Sequence, residues 1–327
     1  MTEGWPHEGS PFHKGEQEIQ DRVGVRDRAE MLARRVVRDH MPDQHREFYE
    51  ALPFLLLGST DQAGRPWASV VAGPEGFISS PDPRRLKIQA APLPGDPLAE
   101  TLASGTPIGV LGIDPATRRR NRMTGKIGKV ERQGSEIGGF EIDVAQAFGN
   151  CPKFIQTRSV HFSEEKDSAD KTANVEKGTV LDAQAQNLIA TADTFFIATT
   201  FKDENPSQAD GSDVSHRGGK PGFVKVETDR SLLFPDFVGN NHFNTLGNIQ
   251  LNSKAGLLFI DFASGDLLYL TGDAEIIWEG PELASFEGAH RLVRFNLDEM
   301  VRSRRALPLQ VSFGEYSPYL AKTGAWN

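Results

Sequence analysis

The chain has 327 residues, with 36 basic and 45 acidic side chains and a formal net charge of −9 at pH 7. Two domains, each with its own core, are expected at this length, and the acidic balance argues against a general nucleic-acid binder, which carries a basic excess. No apolar run approaches the roughly 20 residues of a membrane span, no basic-then-apolar secretory signal opens the chain, and the single cysteine, Cys151, excludes a disulfide within it, so a cytoplasmic protein is expected.

Residues 1–15 mix Gly, Pro, His and Ser without periodicity and read as an extended arm. Glu16 to Gln20 begin a short helix. Arg26 to His40 form a better one, because Met31, Leu32, Val36 and Val37 recur at helical spacing. Met41-Pro42-Asp43 breaks it, and Asp43 can cap the next helix, through Leu52. Strands follow. Phe54 to Ser59 and Trp67 to Ala72 flank the turn Asp61 to Pro66 and read as a hairpin. Phe77 to Ser79 and Leu86 to Gln89 are short strands, Leu98 to Ser104 a short helix, and Pro107 to Ile113 a buried strand. Arg118, Arg119, Arg120 and Arg122 read as a solvated basic hairpin, the alternative being a basic group that reaches an anion across the interface between the two halves or holds an anionic substrate. Met123 to Arg132 and Gly139 to Val144 are further strands. Residues 163–178 are charged and almost free of large apolar side chains, which marks a connector.

The second half repeats the first. Phe195 to Thr200 matches Phe54 to Ser59, Phe223 to Val226 matches the strand begun at Trp67, Pro235-Asp236 matches Pro81-Asp82, and Gly256 to Phe262 matches Pro107 to Ile113. Asp114 and Asp261 each stand ten residues before a Thr-Gly pair, Thr124-Gly125 and Thr271-Gly272. A duplicated β unit is the simplest reading. The expected organisation is an arm with helices over 1–50, a first β domain over 51–162, a connector over 163–178 and a second β domain over 179–327.

The stretch from Leu232 to Phe262 orders a short apolar run, a Gly/Asn turn (Gly239-Asn240-Asn241), a capped helix start at Asn244-Thr245 and a buried strand. Free N–H groups beside a helix N-terminus favour anions. The first half has a Pro/Gly-rich loop at the matching place, so the anion loop is expected in the second half only. Patterns for nucleotide triphosphatases, Rossmann dehydrogenases, HExxH zinc enzymes and GxSxG hydrolases are absent.

This stretch resembles the flavin-phosphate segment of the pyridoxamine 5'-phosphate oxidase-like superfamily, the FMN-binding split β-barrels, and is most similar to two-barrel bacterial members, some of which carry a ferredoxin-reductase module. The phrases Ser10-Pro11-Phe12-His13, Met41 to Arg46 and Gly64 to Ser69 fit the same resemblance. It implies a mainly β fold of tandem split barrels with short helices, FMN as cofactor, and an oxidoreductase acting on an unidentified small molecule. In such a protein Arg217 and Ser215, beside His216, would grip the phosphate, a guanidinium offering a bidentate fork. Asn240, Asn241, His242 and Phe243 would form the loop, with Thr245 and Asn248 reaching phosphate or ribityl oxygens. Family members often place Arg or Lys in this loop; here His242 stands instead. Trp67 would stack on the isoalloxazine or simply fill the barrel, with Ser69 on the same strand, and Lys153 would approach flavin or substrate. No catalytic residue or metal site is assigned. Electrons would come from NAD(P)H or a separate reductase, and a homodimer is expected. The alternatives are a non-catalytic flavin carrier or sensor, and a haem-binding or haem-degrading split barrel with His13, His161, His216, His242 or His290 as ligand.

Overall fold

The computed structural model describes residues 4–134, 136–165, 174–205 and 207–326. Three helices open the chain: α1 (Lys14–Arg22), α2 (Arg26–Val36) and α3 (Asp43–Glu50). The first sheet contains β1 (Phe54–Thr60), β2 (Pro66–Ala72), β3 (Ile78–Asp82), β4 (Arg85–Ile88), β5 (Pro107–Asp114), β6 (Arg119–Gln133) and β7 (Glu136–Gly149), with α4 (Leu98–Thr101) before β5. After β8 (Arg158–Phe162), β9 (Val175–Gly178) and α5 (Ala183–Thr191) comes the second sheet. It contains β10 (Thr194–Phe201), β11 (Gly211–Gly218), β12 (Lys225–Thr228), β13 (Ser231–Asp236), β14 (Lys254–Ile260), β15 (Leu267–Ile277) and β16 (Arg291–Ser303). Helix α6 (Asn244–Leu251) precedes β14, and α7 (Pro281–Ala284) precedes β16.

The duplication is explicit in the topology. The first sheet runs β2-β1-β5-β6-β7-β4-β3 and the second β11-β10-β14-β15-β16-β13-β12, so each strand has a counterpart at the same place. The register agrees residue by residue. Gly109 pairs with Thr124 and Gly256 with Thr271, and both strands shift register at the following glycine, Gly125 or Gly272. The fold is therefore mainly β, two split-barrel units with short helices.

Three sequence expectations need correction. The counterpart of β2 is β11, not the segment Phe223 to Val226: Ser69 pairs with Leu57 as Ser215 pairs with Ile197. Ser215, His216 and Arg217 thus lie within β11, a strand hard to read from sequence because Gly211-Ser212-Asp213 opens it with polar residues. Pro235-Asp236 closes β13, the counterpart of β4, whereas Pro81-Asp82 closes β3. The connector expected over 163–178 falls partly on residues 166–173, which lie outside the described residues, while Val175–Gly178 pairs with β16 as β9. Another short strand, β17 (Leu309–Phe313), pairs with β8.

Strand periodicity explains the continuous apolar runs. Successive side chains point to opposite faces. Leu55 and Leu57 fill the core of the first unit with Phe140 and Ile142, while Phe54 and Leu56 face the other way. Likewise Phe195 and Ile197 fill the second core, while Phe196 and Ala198 face out. The outward sets meet in a third apolar cluster between the units, with Trp67, Val70, Leu111, Leu258 and Tyr269. These strands are buried on both faces, so they read as unbroken apolar runs rather than alternations.

Candidate functional site

A cleft of about 610 Å³, including its open mouth, lies where the two units meet. Strand β11 gives it Ser215, His216 and Arg217. The segment after β13 gives it Asp236, Phe237, Gly239, Asn240, Asn241 and Phe243, and the start of α6 gives it Asn244, Thr245 and Leu246. The first unit supplies Arg120 and Arg122 from β6, and Asn150 and Cys151 just after β7. An apolar compartment continues from it, lined by Phe154, Phe223, Pro235, Phe237 and Val238 with Lys153 at its edge. Arg120, Cys151, His216, Arg217, Phe237 and Gly239 line both.

The charge balance is the main feature. Arg217 Nη1 donates to Asp236 Oδ1 at 2.7 Å, and Arg291 Nε donates to the other oxygen at 3.0 Å. Arg122 ion-pairs with Asp213 and donates from Nη1 to Asn244 Oδ1 at 3.3 Å. Arg120 donates to the Cys151 carbonyl at 2.6 Å and sits 3.4 Å from His216 Nδ1, with no carboxylate in contact among the described residues. Arg120, Arg122, Arg217 and Arg291 therefore face Asp213 and Asp236, which leaves two positive charges uncompensated. Burial and the neighbouring guanidinium groups push Arg122 down to about 9, and burial pushes Arg120 to about 10, so both stay charged at pH 7. The same burial, with Arg120, Arg158 and Arg217 nearby, holds His216 well below its ordinary value and neutral.

The loop is held from three sides. Asn240 Nδ2 donates to Asn150 Oδ1 at 3.0 Å. Gln20 of α1 donates to the carbonyls of Asn241 and His242, each at 3.3 Å. Asn241 and Phe243 adopt φ of 64° and 62°, the left-handed region, which Asn tolerates and Phe does not. Such a conformation persists where surroundings over-determine it. Here Arg291 covers the Phe243 ring at 4.9 Å. Thr245 Oγ1 lies 2.9 Å from Ser215 Oγ and 3.1 Å from Asp213 Oδ2. The carboxylate can only accept, so it takes the Thr245 hydrogen and leaves that of Ser215 to Thr245 or to a ligand.

Of the residues expected to bind cofactor, Ser215, His216, Arg217, Asn240, Asn241, Phe243 and Thr245 converge on the cleft, and Lys153 edges its apolar extension. The others stand elsewhere. His242 is buried between Phe12 and Phe148, at ring distances of 5.3 and 5.4 Å, and burial lowers it to about 4. Asn248 bonds Thr199 and His13, at 3.0 and 2.9 Å, and so ties the arm to α6. Trp67 and Ser69 are buried away from the cleft, Trp67 donating to Asp61 at 3.1 Å and Ser69 to Asp96 at 2.6 Å. Of the five histidines considered as haem ligands, only His216 lines the cleft. Arg120 and Arg122 are central to it, so the alternative of a basic group reaching across the interface holds for these two and the solvated-hairpin reading does not. The signal for them lay in the repeat: their register counterparts in β15 are Leu267 and Tyr269, both fully buried.

Glu16 carries a pH dependence into this region. Its carboxylate is buried, accepts the His13 N–H at 2.8 Å and accepts from Asn244. Burial raises it from 4.5 to about 8. The folded state therefore keeps a proton that the unfolded chain releases. The associated stability is full below pH 4.5, falls as pH rises to about 8, and then levels off. Glu16→Gln should remove that slope, at most about 1.4 kcal/mol per pH unit, from the melting temperature measured between pH 5 and 8. Parallel profiles for the two proteins would refute this assignment.

A pair of duplicated split barrels with a cationic cleft between them defines the class. Residues 181–312, which make up most of the second unit, match the family described as pyridoxamine 5'-phosphate oxidase. Similar solved structures include a candidate pyridoxamine 5'-phosphate oxidase from Lactobacillus delbrueckii (19% identity, 38% of this chain and 94% of that one, TM-score 0.30). HupZ from Group A Streptococcus is another (14%, 37% and 92%, TM-score 0.29). The inhibitor of motility MotI/DgrA of Bacillus subtilis spans more of the chain (9%, 75% and 87%, TM-score 0.21). No curated protein sequence matches the chain significantly.

Proposed function

We propose that the cleft binds FMN and that the protein is a flavin-dependent oxidoreductase acting on a small molecule. One observation carries the reading: two uncompensated positive charges face the N-terminus of α6, and an apolar, Phe-lined compartment adjoins them. A phosphate monoester carries about −1.5 to −2 at pH 7, which matches that excess. Arg217 Nε and Asn150 Nδ2 are buried donors with no partner, as an incoming phosphate oxygen would require. Arg217, Ser215 and the free N–H groups at the start of α6 would hold the phosphate, Arg120 and Arg122 would add charge from the first unit, and Phe237 and Phe154, stacked at 4.8 Å, would wall the ring system. FMN would supply the redox chemistry. The chain's own part is to fix the phosphate, shield the ring from water and keep His216 neutral beside it. NAD(P)H or a separate reductase would be the electron donor.

The test is the visible spectrum of the purified protein, with acid release and mass analysis of any chromophore, followed by titration with FMN. Released or tightly bound FMN is expected. Release of haem instead, or failure to bind FMN, would overturn the proposal. NAD(P)H oxidation above a free-FMN control separates an enzyme from a flavin carrier.

A further inference from the structure

The two units are related strand by strand, so the place in the first unit that corresponds to the cleft can be located. Ser69 stands where Ser215 stands, Val70 for His216 and Val71 for Arg217. Tyr269 stands for Arg122 and Leu267 for Arg120. Thr101 bonds Ser59 as Asn248 bonds Thr199, which sets Leu98 against Thr245 and Asp96 against Phe243. At that place lies the buried carboxylate of Asp96. It accepts from Ser69 Oγ at 2.6 Å, from the Leu98 N–H at 2.9 Å, from Tyr269 Oη at 3.1 Å and from the Val70 N–H. Two of its donors are backbone and two side chain, and one of them reaches across from the second unit.

We infer that Asp96 occupies a relic of the same anion seat, so that the chain takes one anionic ligand rather than two, and that the counterparts of its four donors define the seat in the cleft. Those counterparts are Ser215 Oγ, the His216 N–H, the Thr245 N–H and the Arg122 guanidinium. The inference rests on the phosphate reading of the cleft for the ligand's identity, but not for the role of Asp96. The charges differ in the way the ligands do. Neutral Tyr269 and two apolar residues, Val71 and Leu267, suit a built-in monoanion. Arg122, Arg217 and Arg120 at the same three positions suit a dianion arriving from solvent. In the second unit the Asp96 position is Phe243, which brings no anion of its own.

Removing the carboxylate should leave a cavity lined by four donors, sized for a small carboxylate. Asp96→Ala should melt several degrees lower than the parent in chloride. Tens of millimolar formate should restore much of that loss, while the parent shows no formate response. If Asp96→Ala does not fold in chloride, refolding from urea in formate against chloride gives the same comparison. Equal behaviour in the two salts would overturn the internal seat. This arm contains no flavin, so its failure is separate from failure of the flavin reading. In the second arm the parent is titrated with FMN and with inorganic phosphate. One site per chain is expected, with Ser215→Ala weakening both ligands. Two equivalent sites per chain, or Ser215→Ala binding both as the parent does, would overturn the inference while leaving a flavoprotein intact.

Discussion

Arg217→Ala should weaken FMN binding about 10- to 100-fold while leaving riboflavin binding nearly unchanged. The magnitude follows from the loss of charge-assisted hydrogen bonds, each worth roughly 1.5–3 kcal/mol. The selectivity follows from geometry: Arg217 lines the cationic end of the cleft, and only FMN brings a phosphate there. Its own partner argues that the variant folds. Asp236 keeps Arg291, which donates from Nε at 3.0 Å and ion-pairs through Nη2 at 2.8 Å, so no carboxylate is stranded. The arginine side chain is itself about 20% exposed, so its loss opens no sealed cavity. Truncation lowers the excess charge of the cleft from two to one. The residual affinity should also respond less to salt, because fewer charges are neutralised on binding. Fluorescence titration of both ligands at two salt concentrations measures all of this. An equal loss for FMN and riboflavin would place Arg217 at the ring or in the fold and remove it from the phosphate. No loss for either would remove it from the site.

The parts of the fold that the sequence made legible are those governed by local pattern. The apolar runs at Phe54, Phe195 and Gly256 announced strands because both their faces are covered. The Thr124-Gly125 and Thr271-Gly272 spacing announced the repeat because each pair sits at the same register shift of a hairpin. What stayed hidden depended on which residue faces which across the two units. Strand β11 begins Gly-Ser-Asp and ends His-Arg-Gly, so it lacks the alternation that marks a strand, and the apolar segment Phe223 to Val226 reads more readily as the counterpart of β2. Its polar residues are tolerated there because Asp213 is paired with Arg122 and Thr245, and Arg217 with Asp236. The basic run from Arg118 to Arg122 reads as a solvated turn in isolation. Only the strand register separates Arg119, which stacks on Phe48 at 4.5 Å, from Arg120 and Arg122, which turn into the cleft. The loop from Gly239 to Thr245 is legible in its composition, but the burial of His242 is not, since it depends on Phe12 of the arm.

The joint between the units should be a sensitive point of the molecule, and Gly256 a sensitive residue within it. A Cβ at Gly256 would stand 2.3 Å from the carbonyl oxygen of Pro66 and 2.8 Å from Trp67 Cα. Both are backbone atoms of β2 in the other unit, so no side chain can swing aside. The same carbonyl accepts from Thr271 at 3.0 Å, which fixes it further. The first unit repeats the arrangement: a Cβ at Gly109 would meet Asp213 Cα at 2.7 Å. Two crossings of backbone on backbone thus set the spacing at which Arg120 and Arg122 face Arg217. Overpacking of this kind typically costs about 1–3 kcal/mol, and a β-branched side chain costs more than a methyl. Gly256→Ala should therefore lower the melting temperature by several degrees, and Gly256→Val by more. Both should also weaken FMN binding, although Gly256 does not line the cleft. Gly138→Ala is the matched control, because Gly138 lies in a strand with nothing within 4 Å of an added Cβ. If Gly256→Ala melts with the control and retains FMN as the parent does, the close crossing is not what positions the two arginines. A melting loss without an affinity loss would keep the joint as a stability element and place the geometry of the cleft under the control of its loop.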